Sequence, residues 1–214
     1  MLEEQAYSSS LLLLSGGVDS SALASICSPA AALFIDYGQR PAPAERRAAA
    51  VIGRLLGVSL LEIAIDLRPI GAGLLLDEVS IQNSSSPEWW PYRNQLLVSI
   101  AASVALRHGY RDLVVGTVSG DGSRHIDGTV EFYEALNACL QIQEGGITVS
   151  VPAISETTEH LVARSGLGED ILGWTVSCHR SELPCGACPG CWKRDRVMNN
   201  LGILQGRSEA IEDL

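Results

Sequence analysis

A run of four leucines, residues 11–14, leads into the polar turn Ser15-Gly16-Gly17-Val18-Asp19-Ser20, and small apolar residues resume through Cys27. The continuous apolar run predicts a buried parallel strand, and residues 19–27 predict a helix just behind the turn. AALFID, residues 31–36, is a second strand. PAERRAAAVIGRLLG, residues 43–57, is a helix opened by Pro43 and stopped at Gly57, and VSLLEIAI, residues 58–65, is a third strand. Residues 66–91, with their prolines and NSSSP run, predict a long irregular insertion acting as a lid or binding loop. A helix resumes at about Arg93 and ends at Gly109. RDLVVGT (111–117) is a fourth strand, DGTVEFYEALNACLQIQ (127–143) a helix, and ITVSVP (147–152) a fifth strand closed by Pro152. No internal repeat is present. Strand–helix alternation of this kind predicts an α/β doubly wound parallel sheet, whose ligands sit beyond the carboxyl ends of the strands.

Composition narrows the partners. Hydrophobic residues make up 46% of the 214, enough for one sizeable core. Twenty-five acidic against fifteen basic residues give a formal charge of −10. That charge opposes attraction to polyanions, and no Lys/Arg block interrupts it, so no nucleic-acid partner is expected. No apolar run approaches the roughly 20 residues of a membrane span, and MLEEQAYSSS lacks the basic start of a secretory signal. The expectation is a cytoplasmic protein with no membrane association and a compact substrate.

The polar turn lies where this architecture binds ligands. Gly16 and Gly17 let the backbone approach an anion, the following helix presents free N–H groups, and Ser15 and Ser20 add hydroxyls. Asp19 either caps the helix or helps hold magnesium against phosphates. Spacing excludes a Walker A loop and a dinucleotide-binding glycine fingerprint. An ordinary glycine turn is the plainer reading.

A second signal lies in SCHRSELPCGACPGCWKRD. Cys185, Cys188 and Cys191 are spaced by two residues each, with Cys178 upstream. Four thiolates in this pattern close a tetrahedral structural zinc site. Disulfides do not suit a chain read as cytoplasmic. An iron–sulfur cluster, or His179 as an alternative ligand, stays open. Cys27 and Cys139, at apolar positions of predicted helices, are read as core residues. The expected division is an α/β domain over residues 1–170 and a metal-binding segment over residues 171–214 packed on it.

The turn SGGVDS resembles the signature of the PP-loop ATP pyrophosphatases. Together with DYGQR (36–40), YRNQLLVSIAA (92–102), VVGT (114–117) and WTVSCH before the cysteines, it resembles one family, QueC, the 7-cyano-7-deazaguanine synthases. That resemblance implies the same Rossmann-like sheet, a zinc segment, and often a homodimer. It implies that Ser15, Gly16, Gly17, Val18, Asp19 and Ser20 hold ATP with magnesium, and that Asp36, Tyr37, Gln39 and Gly116 lie near the nucleotide. Catalytic roles fall to Ser15, Asp19 and Arg93. Arg93, Asn94 and Asp127 face the substrate acid, Asp127 as reader of a guanine-like edge or, alternatively, as a helix N-cap. Cys178, Cys185, Cys188 and Cys191 take the zinc.

The family reaction adenylates the carboxylate of 7-carboxy-7-deazaguanine, forms the amide with ammonia, and dehydrates it to the nitrile. This chain departs from the family pattern on the acceptor side. Gly128 stands where a cysteine is usual, Pro41 where a histidine is, and His179 where a tyrosine is. An altered substrate segment with an intact ATP loop resembles QueC-like paralogues of antiphage operons, such as type IV CBASS and Qat. In those, the activated deazaguanine is joined to the N-terminal amine of a partner protein encoded in the same operon. Three readings therefore stand: a conjugating ligase, an ammonia-using synthase, and an inactive nucleotide-binding subunit.

Overall fold

The computed structural model describes residues 7–82, 84 and 86–203. Five strands, β1 (Leu11–Leu13), β2 (Ala31–Asp36), β3 (Leu60–Ala64), β4 (Asp112–Val114) and β5 (Thr148–Ser150), form one sheet in the order β3-β2-β1-β4-β5. Every pairing is parallel, with Leu12 opposite both Ala32 and Val114. The order reverses direction between β1 and β4, which opens a crevice at their carboxyl ends.

Period-two alternation divides the strand residues between two cores. Leu12, Ala32, Phe34 and Val114 face α1 (Val18–Cys27), α2 (Ala42–Leu56), α5 (Thr158–Ser165), α6 (Glu169–Leu172) and α7 (Pro189–Asn200). Leu11, Leu33, Ile35 and Leu113 face α3 (Arg93–Arg107) and α4 (Val130–Gln141). Leu11, Leu12, Leu23 and Leu113 are fully buried, each contributing about 1.5–3 kcal/mol of burial free energy. Both sides of the sheet are covered, the doubly wound arrangement expected.

β2 matches its predicted run, and the other four strands are one to four residues shorter than theirs. Helix α2 begins at Ala42 with Pro43 in its first turn, and Gly57 closes it at φ +71°. Segment 66–91 is irregular but not detached. It contains one 3₁₀ turn, Arg68–Ile70, and buries Ala72, Leu75, Ser86, Glu88 and Trp90, with Trp90 edge-on to Tyr37. Its residues 83 and 85 lie outside those described.

Two expectations need correction. Cys139 is exposed, because Tyr133, Leu136 and Leu140 take the inward face of α4 and turn it outward; Cys27 is buried as expected. The N-cap of α4 is Thr129, whose hydroxyl accepts from the Phe132 N–H, so Asp127 does not cap it.

Helices α5, α6 and α7 follow β5. Val197 and Met198 of α7 reach the core shared with β1, so the cysteine-bearing segment packs on the α/β layers; residues 204–214 of that segment lie outside the described residues. Among the described residues no helix is long and apolar enough to cross a membrane.

Candidate functional site

The polar turn sits at the carboxyl end of β1, at the mouth of the crevice. Gly16 has φ +75°, and a Cβ there would come within 2.7 Å of the Ala48 Cβ and 2.8 Å of the Glu45 carbonyl. Only glycine fits a turn pressed so closely onto α2. Gly17 is the N-cap of α1 and no side chain caps that helix, so its first-turn N–H groups are presented to the crevice. The Ser15 and Ser20 hydroxyls lie 3.1 Å apart, and the Ser20 and Ser21 hydroxyls donate to the Gly17 carbonyl. Across the switch point Gly116 abuts α1: a Cβ there would lie 3.2 Å from the Ser20 Cα.

Asp19 is no cap. Its Oδ1 accepts from the Thr158 hydroxyl at 2.7 Å, and its Oδ2 pairs with Lys193 Nζ at 2.9 Å. Lys193, on α7, is also 3.6 Å from Asp121 Oδ1. Burial works against its charge, but the two carboxylates outweigh it and raise the ammonium's pKa.

The turn after β2 forms the next wall. Gln39 Oε1 accepts from the Tyr37 N–H, and Gln39 Nε2 donates to Glu45 Oε2 at 2.8 Å. Glu45 is thereby held in the first turn of α2 facing the crevice. Burial pushes its carboxyl up to about 7 against the Gln39 hydrogen bond and the Arg93 charge. Burial likewise raises the Tyr37 phenol. Arg93 begins α3 beside Tyr37, Asp127, Glu88 and Glu45, whose charges raise its pKa against burial. Asn94 donates from its side chain to the Asp127 carbonyl and from its main chain to Asp127 Oδ2, fixing the 3₁₀ turn Ile126–Gly128 to α3.

A third wall comes from the insertion. Glu88, 4% exposed, pairs with Arg124 at 2.5 Å and lies 3.5 Å from His125 Nε2. Burial pushes its carboxyl up, but hydrogen bonds from His125 and its own main-chain N–H, with Arg124 alongside, bring it down to about 2. These walls enclose a cavity of about 380 Å³.

Beside it, the sulfurs of Cys178, Cys185, Cys188 and Cys191 all lie within 4.8 Å of one another, and no disulfide joins them. Sulfurs at about 2.3 Å from one tetrahedral ion stand about 3.8 Å apart, and Cys185 and Cys191 are at 4.0 Å. Main-chain N–H groups of His179, Arg180 and Cys191 point at the Cys188 and Cys178 sulfurs, which favours thiolates. The cluster could hold one metal ion.

A family model described as queuosine biosynthesis protein QueC matches residues 9–202. This chain belongs to the QueC family. Among curated QueC-like relatives, the 7-cyano-7-deazaguanine synthase of Erythrobacter litoralis (strain HTCC2594) is 30% identical over 218 aligned positions, covering 91% of this chain and 90% of that one. The 7-cyano-7-deazaguanine synthase of Chlorobium phaeovibrioides (strain DSM 265 / 1930) is 30% identical over 210, covering 90% and 92%. Among solved structures, NMN synthetase from Francisella tularensis superposes with a TM-score of 0.49 at 13% identity, over 97% of this chain and 82% of that one.

Of the residues that the QueC resemblance implicates, Ser15, Gly17, Val18, Asp19, Ser20, Tyr37, Gln39, Arg93, Asn94 and Gly116 line the one cavity. Gly16 lies behind it against α2. Asp36 accepts from the Gly38 N–H and lines a separate hollow with Phe34, Arg46 and Glu62. Asp127 is turned towards Asn94. His179 lines the cavity rather than joining the four sulfurs, with Nδ1 buried and without a partner among the described residues.

Sequence reasoning missed Glu45, Glu88, Arg124, Thr158 and Lys193. Lys193, two positions after the last cysteine of the cluster, had a signal: a helix there, opened by Pro189, carries it back to the loop.

Proposed function

We propose that this chain uses ATP to make the carboxylate of 7-carboxy-7-deazaguanine reactive and joins it to an amine nitrogen. What carries this reading is the glycine turn at the switch point of a QueC-family sheet, with an uncapped helix and two serine hydroxyls converging on one cavity. A triphosphate suits this turn because the first N–H groups of α1 have no side-chain partner.

A substrate carboxylate oxygen attacks the α-phosphorus of ATP, pyrophosphate leaves, and an acyl adenylate forms. An amine then attacks the acyl carbon, AMP leaves, and the amine sheds a proton. Ser15, Ser20 and the N–H groups of α1 offset charge building on the pyrophosphate. Arg93, at the cavity wall, meets the substrate carboxylate, with Asn94 beside it. Magnesium arriving with ATP would be held by Asp19 and Asp121. Zinc would be held by Cys178, Cys185, Cys188 and Cys191, closed off and structural.

Two nitrogen acceptors are in view. A partner protein's N-terminal amine is supported by Gly128, which lines the cavity where the family pattern carries a cysteine. Ammonia, leading on to the nitrile, is supported by the name its relatives carry. Incubating the protein with ATP, magnesium and the acid, plus ammonium or a candidate partner, and weighing the products by mass spectrometry separates them. An adduct on a protein amine supports the first and free nitrile the second. ATP left intact with either acceptor contradicts both. Asp19→Asn is expected to abolish turnover while leaving the far-ultraviolet circular dichroism unchanged.

A further inference from the structure

Helix α7 starts at the metal cluster and ends in the core. Cys188 is its N-cap, with the sulfur accepting from the Cys191 N–H, and Pro189 occupies the first turn. Further along, the Arg194 guanidinium donates to the carbonyls of Thr175 and Leu172, and Val197 and Met198 are buried. The same segment touches the loop through its backbone, where the Val176 N–H donates to the Gly16 carbonyl at 2.9 Å. A rigid path therefore runs from the cluster to the loop. Lys193 stands on that path with its side chain 34% exposed and its ammonium 2.9 Å from Asp19, at the cavity wall.

An ammonium carries three N–H donors. Asp19 takes one and Asp121, at 3.6 Å, engages a second only weakly. Each Asp–Lys pair is partly exposed and contributes little to stability on its own. As a staple between α7 and α1 the arrangement is weak, and it leaves a cation preset beside the uncapped start of α1.

We propose that Lys193 is a phosphate-binding residue of the nucleotide site, supplied by the cysteine-bearing segment and held in readiness by Asp19 and Asp121. It rests on the reading that the loop binds a triphosphate. When the triphosphate enters, the ammonium turns one donor onto a non-bridging phosphate oxygen. The exposed flank of the side chain gives it room to do so.

The test measures binding of ATP and of inorganic tripolyphosphate by calorimetry to the full chain and to the variants Lys193→Gln and Lys193→Arg, with melting temperature and bound metal recorded for each. Loss of one charge-assisted contact predicts about a tenfold to hundredfold rise in Kd for both ligands in K193Q. K193R recovers most of it, and metal content stays as in the parent. Unchanged Kd in K193Q overturns the proposal, whether or not its melting temperature falls, because that is the behaviour of a structural ion pair. ATP turnover that persists while affinity ignores Lys193 leaves the proposed function standing and the Lys193 role refuted. Tripolyphosphate binding that depends on Lys193 without any ATP binding does the reverse. No polyphosphate binding by the parent chain overturns both.

Discussion

The Glu45 carboxylate offers a quantitative check on the cavity wall. Its folded-state pKa is raised from 4.5 to about 7 by burial, so the folded chain binds a proton there more tightly than the unfolded chain does. A raised pKa contributes stability that is fully present below the unfolded value and is lost as pH rises through the folded one. The window is therefore about pH 4.5 to 7, and the displacement is worth about 3 kcal/mol. His179 works in the opposite sense nearby. Burial, helped by the Arg93, Arg124 and His125 charges, lowers its pKa from 6.5 to about 4, so its contribution is present above 6.5 and fades as pH falls. The wild-type curve alone would hide both.

Glu45→Gln isolates the first, because glutamine keeps an acceptor for the Gln39 amide and never ionises. Urea unfolding at half-unit steps from about pH 3.5 to 8 should show equal stability of the two proteins at the acid end. By pH 8, E45Q should be the more stable by about 3 kcal/mol. A difference that stays flat within about 0.5 kcal/mol would refute the reasoning that Glu45 is forced to ionise in a poorly solvated wall.

Gly16→Ala should cost about 2–5 kcal/mol in urea unfolding, combining a left-handed backbone with a Cβ driven into Ala48 and Glu45; a cost under about 1 kcal/mol would mean the turn is not pressed onto α2. Cys188→Ser should lose bound metal by elemental analysis and lower Tm by about 2–4 °C for each kcal/mol of metal-linked stability lost, and full metal retention would remove the cluster's closed four-sulfur description. Tyr92, at φ +54° ahead of α3, is strained. Tyr92→Gly should gain about 0.5 kcal/mol and Tyr92→Val should lose about 1 kcal/mol, and equal melting curves for both would show that no strain is stored there.

Much of the layered architecture is legible in the sequence because it depends on runs of like residues. Leu11, Leu12 and Leu13 leave no polar face, so a doubly covered parallel strand is the one arrangement that suits them. The glycine turn and the cysteine spacing are legible for the same reason: their chemistry is local. Contacts that join distant segments are not. Asp19 could be read as a cap or a metal ligand, and nothing nearby in the chain announces that Thr158 and Lys193 converge on it from 139 and 174 positions away. Asp127 could be read as a reader of a guanine-like edge or as a cap, and the cap falls to Thr129, two residues on, whose hydroxyl is in the right place. Glu88 sits in a stretch with no periodicity at all. Its importance comes from Arg124 and His125, which only the fold brings near.

The central claim is that a carboxylate oxygen attacks the α-phosphorus of ATP in the cavity at the switch point. It can be traced by labelling both carboxylate oxygens of 7-carboxy-7-deazaguanine with ¹⁸O and examining the nucleotide product by mass spectrometry after turnover with an amine. The account predicts AMP carrying one ¹⁸O on its phosphate. Unlabelled AMP, or label appearing in inorganic phosphate alongside ADP, would contradict it.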